Sequence, residues 1–323
     1  MMLGIKLSRG STAAWWPAGA NLAVDFVNRR YMRAGSWVAA PAVFSFTRAS
    51  TGWASDGAGQ WADFAVNTPR LTDRGLLIEP ARQNSIRNNA MSGAVVGAPG
   101  TLPTNWSRFK SGTMNDLAVV ASGTEQGLDY IDVRIWGTAT GNNDVGVNME
   151  IAISVAPGDS YVASTFAKVI SGSLAGATFG QFSCGRYNSG AYVSSAPAVD
   201  LRTATAWVQL GFSDTIPGSG VNQIRPAVSF RIPDAMSVDA VVRMARPQVE
   251  IGAAAATSPI VTTGSVATRA ADALTLDLPS GTQTLTVIFE DQSQQVITGL
   301  AGGNLVLPTN LNKSRIARMF ALP

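Results

Sequence analysis

The chain of 323 residues contains no histidine and a single cysteine, Cys184. Without imidazole there is no Ser-His-Asp or Cys-His machinery and no histidine metal ligand. A lone cysteine can close neither an intrachain disulfide nor a thiolate zinc cluster, so no metal or cofactor is expected. A Ser-Lys pair or a carboxylate pair remains as catalytic chemistry. Charge is also scarce. Asp, Glu, Lys and Arg make up 14% of the residues and apolar types 46%, against roughly 25% charged in an ordinary soluble domain. Disorder is thereby excluded, and Ser, Thr, Asn, Gly and backbone must cover the surface. The net charge of +3 comes without a Lys/Arg cluster, so no nucleic-acid partner is expected. The N-terminal stretch carries Lys6 and Arg9 early but lacks the ~7–15-residue apolar run of a signal peptide and the ~20 residues of a membrane span. Folding in a cytoplasm without membrane insertion is expected.

What is present is strand and turn. The 32 glycines and 16 prolines are spread along the chain, which suits many short strands joined by tight turns. Residues 1–43 place Trp15, Trp16, Tyr31 and Trp37 among Gly, Ala and Pro without a clean period, a pattern of aromatics packed on the protein's own core or on a partner. From 44 to 84 the runs read as a β-meander. Between 85 and 262 alternation is clearer: in 129–137, Ile131, Val133 and Ile135 share one face and Tyr130, Asp132, Arg134 and Trp136 the other. In 146–155, Val147, Met149, Ile151, Ile153 and Val155 face one way, with Asn148, Glu150 and Ser154 opposite. Similar runs recur up to residue 250, and Pro226 within one of them predicts an edge strand or a bulge. These runs predict an all-β fold, a jelly-roll β-sandwich with a flanking β-meander and a small C-terminal β-module. In that module a hairpin is expected around Asp291-Gln292-Ser293.

Two segments carry a resemblance. The first is Phe46-Thr47-Arg48-Ala49-Ser50-Thr51 with Pro69-Arg70 and Gly75-Leu76-Leu77-Ile78-Glu79-Pro80-Ala81-Arg82-Gln83-Asn84. The second is Pro247-Gln248-Val249-Glu250-Ile251-Gly252, Ala256-Thr257-Ser258-Pro259-Ile260 and Thr268-Arg269-Ala270-Ala271-Asp272. Together they resemble a family of bacteriophage and prophage virion proteins of tail, tail-fibre or head-spike type, in which they bracket a carbohydrate-binding-module-like jelly roll. Gln83-Asn84 departs from the family's usual Thr-Asn, and no lyase or esterase domain is appended. The resemblance implies a non-enzymatic structural component of a phage particle, assembled in the host bacterial cytoplasm and serving host attachment or holding neighbouring virion proteins. It further implies a homotrimer. The alternatives are a dedicated receptor-binding module for host surface polysaccharide and a glycan depolymerase. The corresponding organisation is a virion-docking N-terminal arm over 1–43, a meander bracket over 44–84, the jelly roll over 85–262, and the closing bracket with the C-terminal module over 263–323.

Within the brackets, Arg48, Arg70, Arg82 and Arg269 beside Glu79, Glu250 and Asp272 are candidates for guanidinium–carboxylate contacts that lock strand ends. A sugar ring offers an apolar face and a rim of hydroxyls, so aromatics flanked by hydrogen-bonding groups suit it. Tyr130, Arg134 and Trp136 supply that combination, with Arg186, Tyr187 and Tyr192 from a loop. The competing reading of Trp136 is packing in a trimer interface or under the N-terminal aromatics. Of the five glutamates, only Glu125 and Glu150 lie outside the brackets and the C-terminal module, and with scattered aspartates they are what a glycosidase pair would draw on. Asn142-Asn143-Asp144 is read as a turn in preference to a Ca²⁺ site.

Overall fold

A computed structural model describes residues 14–112, 117–141, 143–218 and 220–323. Those residues are almost wholly strand and turn, and the chain divides into two compact units: Met1–Thr47, Leu71–Ile78 and Asp272–Pro323 form one, Arg48–Arg70 and Glu79–Ala271 the other.

In the first unit, strand Leu22–Asp25 lies between Arg30–Arg33 and Arg315–Leu322, and the latter pairs onward with Thr284–Phe289. Alternate residues of these strands, among them Leu22, Val24, Leu285, Val287 and Met319, are fully buried together. Period-2 patterning has put one face of each strand into a common core. Thr284–Phe289 and Gln294–Thr298 pair as the hairpin around Asp291-Gln292-Ser293. Of the N-terminal segment, residues 1–13 lie outside the described residues. The remainder contributes Leu22, Val24 and Phe26 to this core, while Trp15, Trp16 and Trp37 stack edge to face on one another.

The second unit is a jelly-roll sandwich. Its strands are β1 (Ser107–Lys110), β2 (Leu117–Glu125), β3 (Leu128–Thr138), β4 (Asn143–Asn148), β5 (Ser160–Gly172), β6 (Phe179–Asn188), β7 (Ala191–Ser195), β8 (Val208–Thr215), β9 (Gln223–Ile232) and β10 (Ser237–Ile251). One sheet runs β1-β4-β9-β6-β7 with two short strands appended, and the other runs β2-β3-β10-β5-β8. Every pairing is antiparallel, and the chain crosses repeatedly from one sheet to the other. Ile131, Val133 and Ile135 of β3 face Val145, Val147, Val228 and Phe230 of the opposing sheet across a continuous buried cluster.

Two local expectations are corrected. Pro226 lies in β9, a central strand between β4 and β6. It is tolerated there because β4 ends opposite Ala227. The Pro226 carbonyl still accepts the Met149 N–H at 2.8 Å, while its nitrogen, which shares that side of the strand, faces a stretch where pairing has lapsed. The alternation read through 146–155 also breaks at Asn148. Ile151 is 45% exposed and Glu150 fully buried, because the Glu150 carboxylate turns inward to accept the Arg87 side chain and the backbone N–H groups of Arg87 and Ile151. A buried, fully satisfied carboxylate overrides the period.

Candidate functional site

The outer face of the β1-β4-β9-β6-β7 sheet is concave and holds a groove of about 530 Å³. Its shape follows from alternation. Val228, Phe230 and Ile232 of β9 point into the core, so Ala227, Ser229 and Arg231 point out. Cross-strand pairing sets Ser229 between Gly146 and Gln181, and Ala227 between Asn148 and Ser183. Small side chains therefore make the floor. Larger groups stand at the ends, with Asp144, Arg231 and Phe179 in one cross-strand row and Tyr187 with Tyr192 at the other end. Two glycines allow the rings to lie down on the sheet. A Cβ on Gly146 would sit 2.7 Å from the Phe109 Cζ, and one on Gly185 would sit 2.8 Å from the Tyr187 Cε2.

The polar groups are held in place. Asp144 accepts from Arg231 through both oxygens, Nε at 2.7 Å and Nη2 at 2.8 Å, and the Arg231 guanidinium lies 5.1 Å from the centre of the Phe179 ring. The hydrogen bond that Arg231 donates to Asp144 holds the Arg231 pKa above its already high ordinary value. Tyr187 and Tyr192 meet edge to face at 5.7 Å, Arg225 covers the other ring contact of Tyr187 at 4.0 Å, and Tyr192 shares a 2.9 Å hydroxyl contact with Ser195. Tyr192 remains 61% exposed. Aromatic faces at both ends of a floor of hydroxyls and amides can stack on successive sugar rings and hydrogen-bond their hydroxyls.

The sugar-binding candidates divide between the two sheets. Tyr187 and Tyr192 line the groove, on β6 and β7 and not on a loop. Arg186 does not line it; its Nη2 donates to Asp214 at 2.7 Å, an oxygen that also accepts the Tyr161 hydroxyl. Tyr130, Arg134 and Trp136 lie on β3 in the other sheet. There Arg243 covers the Tyr130 ring at 3.6 Å, and Arg134 pairs with both oxygens of Asp239 while lying 5.2 Å from the Trp136 ring. Asp132, read as part of the same polar face, is buried and accepts Arg243. Phe109, Phe179, Gln181, Asn148 and Arg231 were not identified from the sequence. A signal existed, since the runs 179–187 and 225–231 alternate apolar residues with small, polar or aromatic ones.

The charged residues of the bracketing motifs, Asp272 apart, gather in a separate and largely buried cluster in the same unit. Strand Arg82–Asn84 pairs with Ala267–Arg269, which places the two motifs side by side. Glu79, 4% exposed, accepts from Arg70 Nη1 at 2.6 Å and from the N–H and hydroxyl of Ser258, with Arg269 Nη1 at 3.1 Å. Burial would raise its pKa, but Arg269, Arg70 and Ser258 together outweigh burial and hold the carboxyl down to about 2. Arg48 is buried and donates to the carbonyls of Ser50, Phe64 and Ala65. Two members depart from the expected ion pairs. Arg82 donates locally to the Ala81 carbonyl. Glu250 accepts from Thr257 and Gln248 and forms no ion pair among the described residues, and burial pushes its pKa up against the opposing pull of these hydrogen bonds and of the Arg269 charge. Asp272 is buried in the other unit.

Of the carboxylates a glycosidase pair would draw on, Glu150 pairs with Arg87, and Glu125 with Lys168 and Arg243. Asn142 lies outside the described residues, and Asn143 donates to the carbonyls of Thr140 and Gly141.

No protein-family model matches the chain, and no curated protein matches it. Among solved structures, the chain is similar over about half its length to several, including the following three. A CBM4 carbohydrate-binding module shares 19% identity over 52% of this chain and 99% of that chain, with a TM-score of 0.34. The CBM22-1 xylan-binding domain from Paenibacillus barcinonensis shares 17% over 54% of this chain and 94% of that chain, at 0.32. The enzymatically active domain of tailspike protein 4 from bacteriophage CBA120 shares 13% over 52% of this chain and 21% of that chain, at 0.34.

Proposed function

We propose that the jelly-roll unit binds a glycan strand in the concave groove, without cleaving it, as the host-attachment function of a phage particle protein. The observation that carries the glycan reading is the groove itself: a floor of small and hydrogen-bonding residues between aromatic groups, Phe109 and Phe179 at one end and Tyr187 and Tyr192 at the other. Binding is favoured over hydrolysis because the one carboxylate in the lining, Asp144, is held by Arg231 through both oxygens, whereas glycoside hydrolysis uses two carboxyl groups flanking the bond. The virion setting rests on the resemblance of the two bracketing motifs. The test is a glycan array probed with the full chain and with Tyr187→Ala and Phe179→Ala. Wild-type binding lost in both variants, with melting temperature retained, supports the reading. Binding unaffected by either variant, or absent throughout, overturns it.

A further inference from the structure

The groove carries an uneven charge. Its lining contains Lys110 and Arg231 against Asp144 alone, and Asp144 is already neutralised by Arg231. Lys110, at the end of β1, is exposed and makes no ion pair among the described residues. At the other end Arg225, set against the Tyr187 ring, has no carboxylate partner among the described residues. Elsewhere on the sandwich several cations are matched: Arg134 with Asp239, Lys168 with Glu125, Arg202 with Asp200 and Arg243 with Asp132. In a chain with so few charges, an unmatched cation at each end of one groove leaves a site complementary to negative charge.

The geometry indicates where that charge would sit. Arg231 uses Nε and Nη2 on Asp144, so its orientation is set while Nη1 has no partner among the described residues. The same guanidinium lies over Phe179. An aromatic ring beside a fixed guanidinium edge and a mobile ammonium suits a sugar whose carboxylate projects one bond beyond the ring, because stacking the ring sets the anion against the donors. Resting on the groove's assignment as a glycan site, we infer that its ligand is a uronate-bearing polysaccharide, with a carboxylate placed between Lys110 and Arg231.

The experiment is calorimetric titration of the full chain with oligosaccharides of alginate, polygalacturonate and hyaluronan. Each is paired with its carboxyl-reduced counterpart, and cellohexaose and xylohexaose serve as neutral probes. The inference expects at least one carboxylated probe to bind and its reduced form to bind about tenfold more weakly, the scale of one charge-assisted hydrogen bond. Lys110→Gln, an exposed substitution that leaves the fold alone, should weaken that binding by a similar factor. Raising ionic strength should shrink the difference. Equal binding of carboxylated and reduced forms, or binding of neutral probes alone, with Tyr187→Ala abolishing either, overturns the uronate assignment and leaves the groove reading standing. Binding that survives both Tyr187→Ala and Phe179→Ala, or no binding by any probe, overturns both.

Discussion

The bracket cluster and the groove lie in the same unit and are built from the same kinds of residue: arginine, a carboxylate, serine, glutamine. Around Glu79 the arginines are 0% and 2% exposed at the side chain, and Ser258 and the backbone take up both carboxylate oxygens. At Arg231 the side chain is 44% exposed, and only one edge of the guanidinium is occupied. The first arrangement is buried, so its hydrogen bonds serve the fold. The second presents oriented donors to water, which a ligand can displace. Burial and unfilled valence, and not residue type, separate a lock from a binding site.

The largest test of that contrast is Glu79→Gln. It removes the negative charge between the buried guanidinium groups of Arg70 and Arg269, which costs about 3–5 kcal/mol in unfolding free energy by denaturant titration. Glycan binding by the fraction that stays folded should be unchanged; a loss of binding at retained stability would erase the distinction between lock and groove.

Acid titration probes the same carboxyl. Its folded pKa of about 2 lies below the unfolded value of about 4.5, so the stability it contributes is fully present above pH 4.5 and is lost as pH falls towards 2. The change is on the order of 3 kcal/mol by linkage and should be absent in Glu79→Gln. The groove side is tested by Tyr187→Ala, for which we expect affinity for a bound glycan to fall by at least tenfold, the scale of one lost aromatic contact, with a melting temperature within a few degrees of wild type.

A smaller effect is expected at Glu250. Burial raises its pKa, so the folded state takes up a proton before the unfolded state does, and this group's contribution to stability grows as pH falls through the folded value, opposite in sign to Glu79. Glu250→Gln should therefore change stability by under about 1 kcal/mol at pH 7 and remove that acid-side gain, read from paired melts at two pH values. The smallest effect is expected for Arg134→Ala on β3. Its exposed pair with Asp239 is worth about 0–1 kcal/mol, and groove binding should be untouched. Loss of glycan binding there would move the ligand to the outer face of the other sheet.

Much of the sandwich was legible because burial on one side of an antiparallel strand writes itself as period-2 alternation: Ile131, Val133 and Ile135 lead directly to the core. Legibility failed where a local polar bond outweighed the pattern, as when Glu150 turned inward to Arg87 and exposed Ile151. The bracketing motifs were conspicuous because arginines and glutamates are rare in this chain. Their conspicuousness reflected a structural lock, while the groove's floor of Gly146, Ala227, Ser183 and Ser229 is chemically plain. Tyr130, Arg134 and Trp136 combined ring and charge on one strand, yet their strand neighbours Arg243 and Asp239 engage Tyr130 and Arg134.

The sequence by itself determined the class of fold, the residues that face the sandwich core and the absence of histidine and cysteine-pair chemistry, since these depend on composition and on neighbours two positions apart. Which face is concave, and which rings share it, was decided only by tertiary pairing. Phe109, Asp144, Phe179, Tyr187 and Arg231 come from strands far apart in the chain, brought side by side by the order β1-β4-β9-β6-β7. No local pattern encodes that order, because it follows from how two sheets bury a common core.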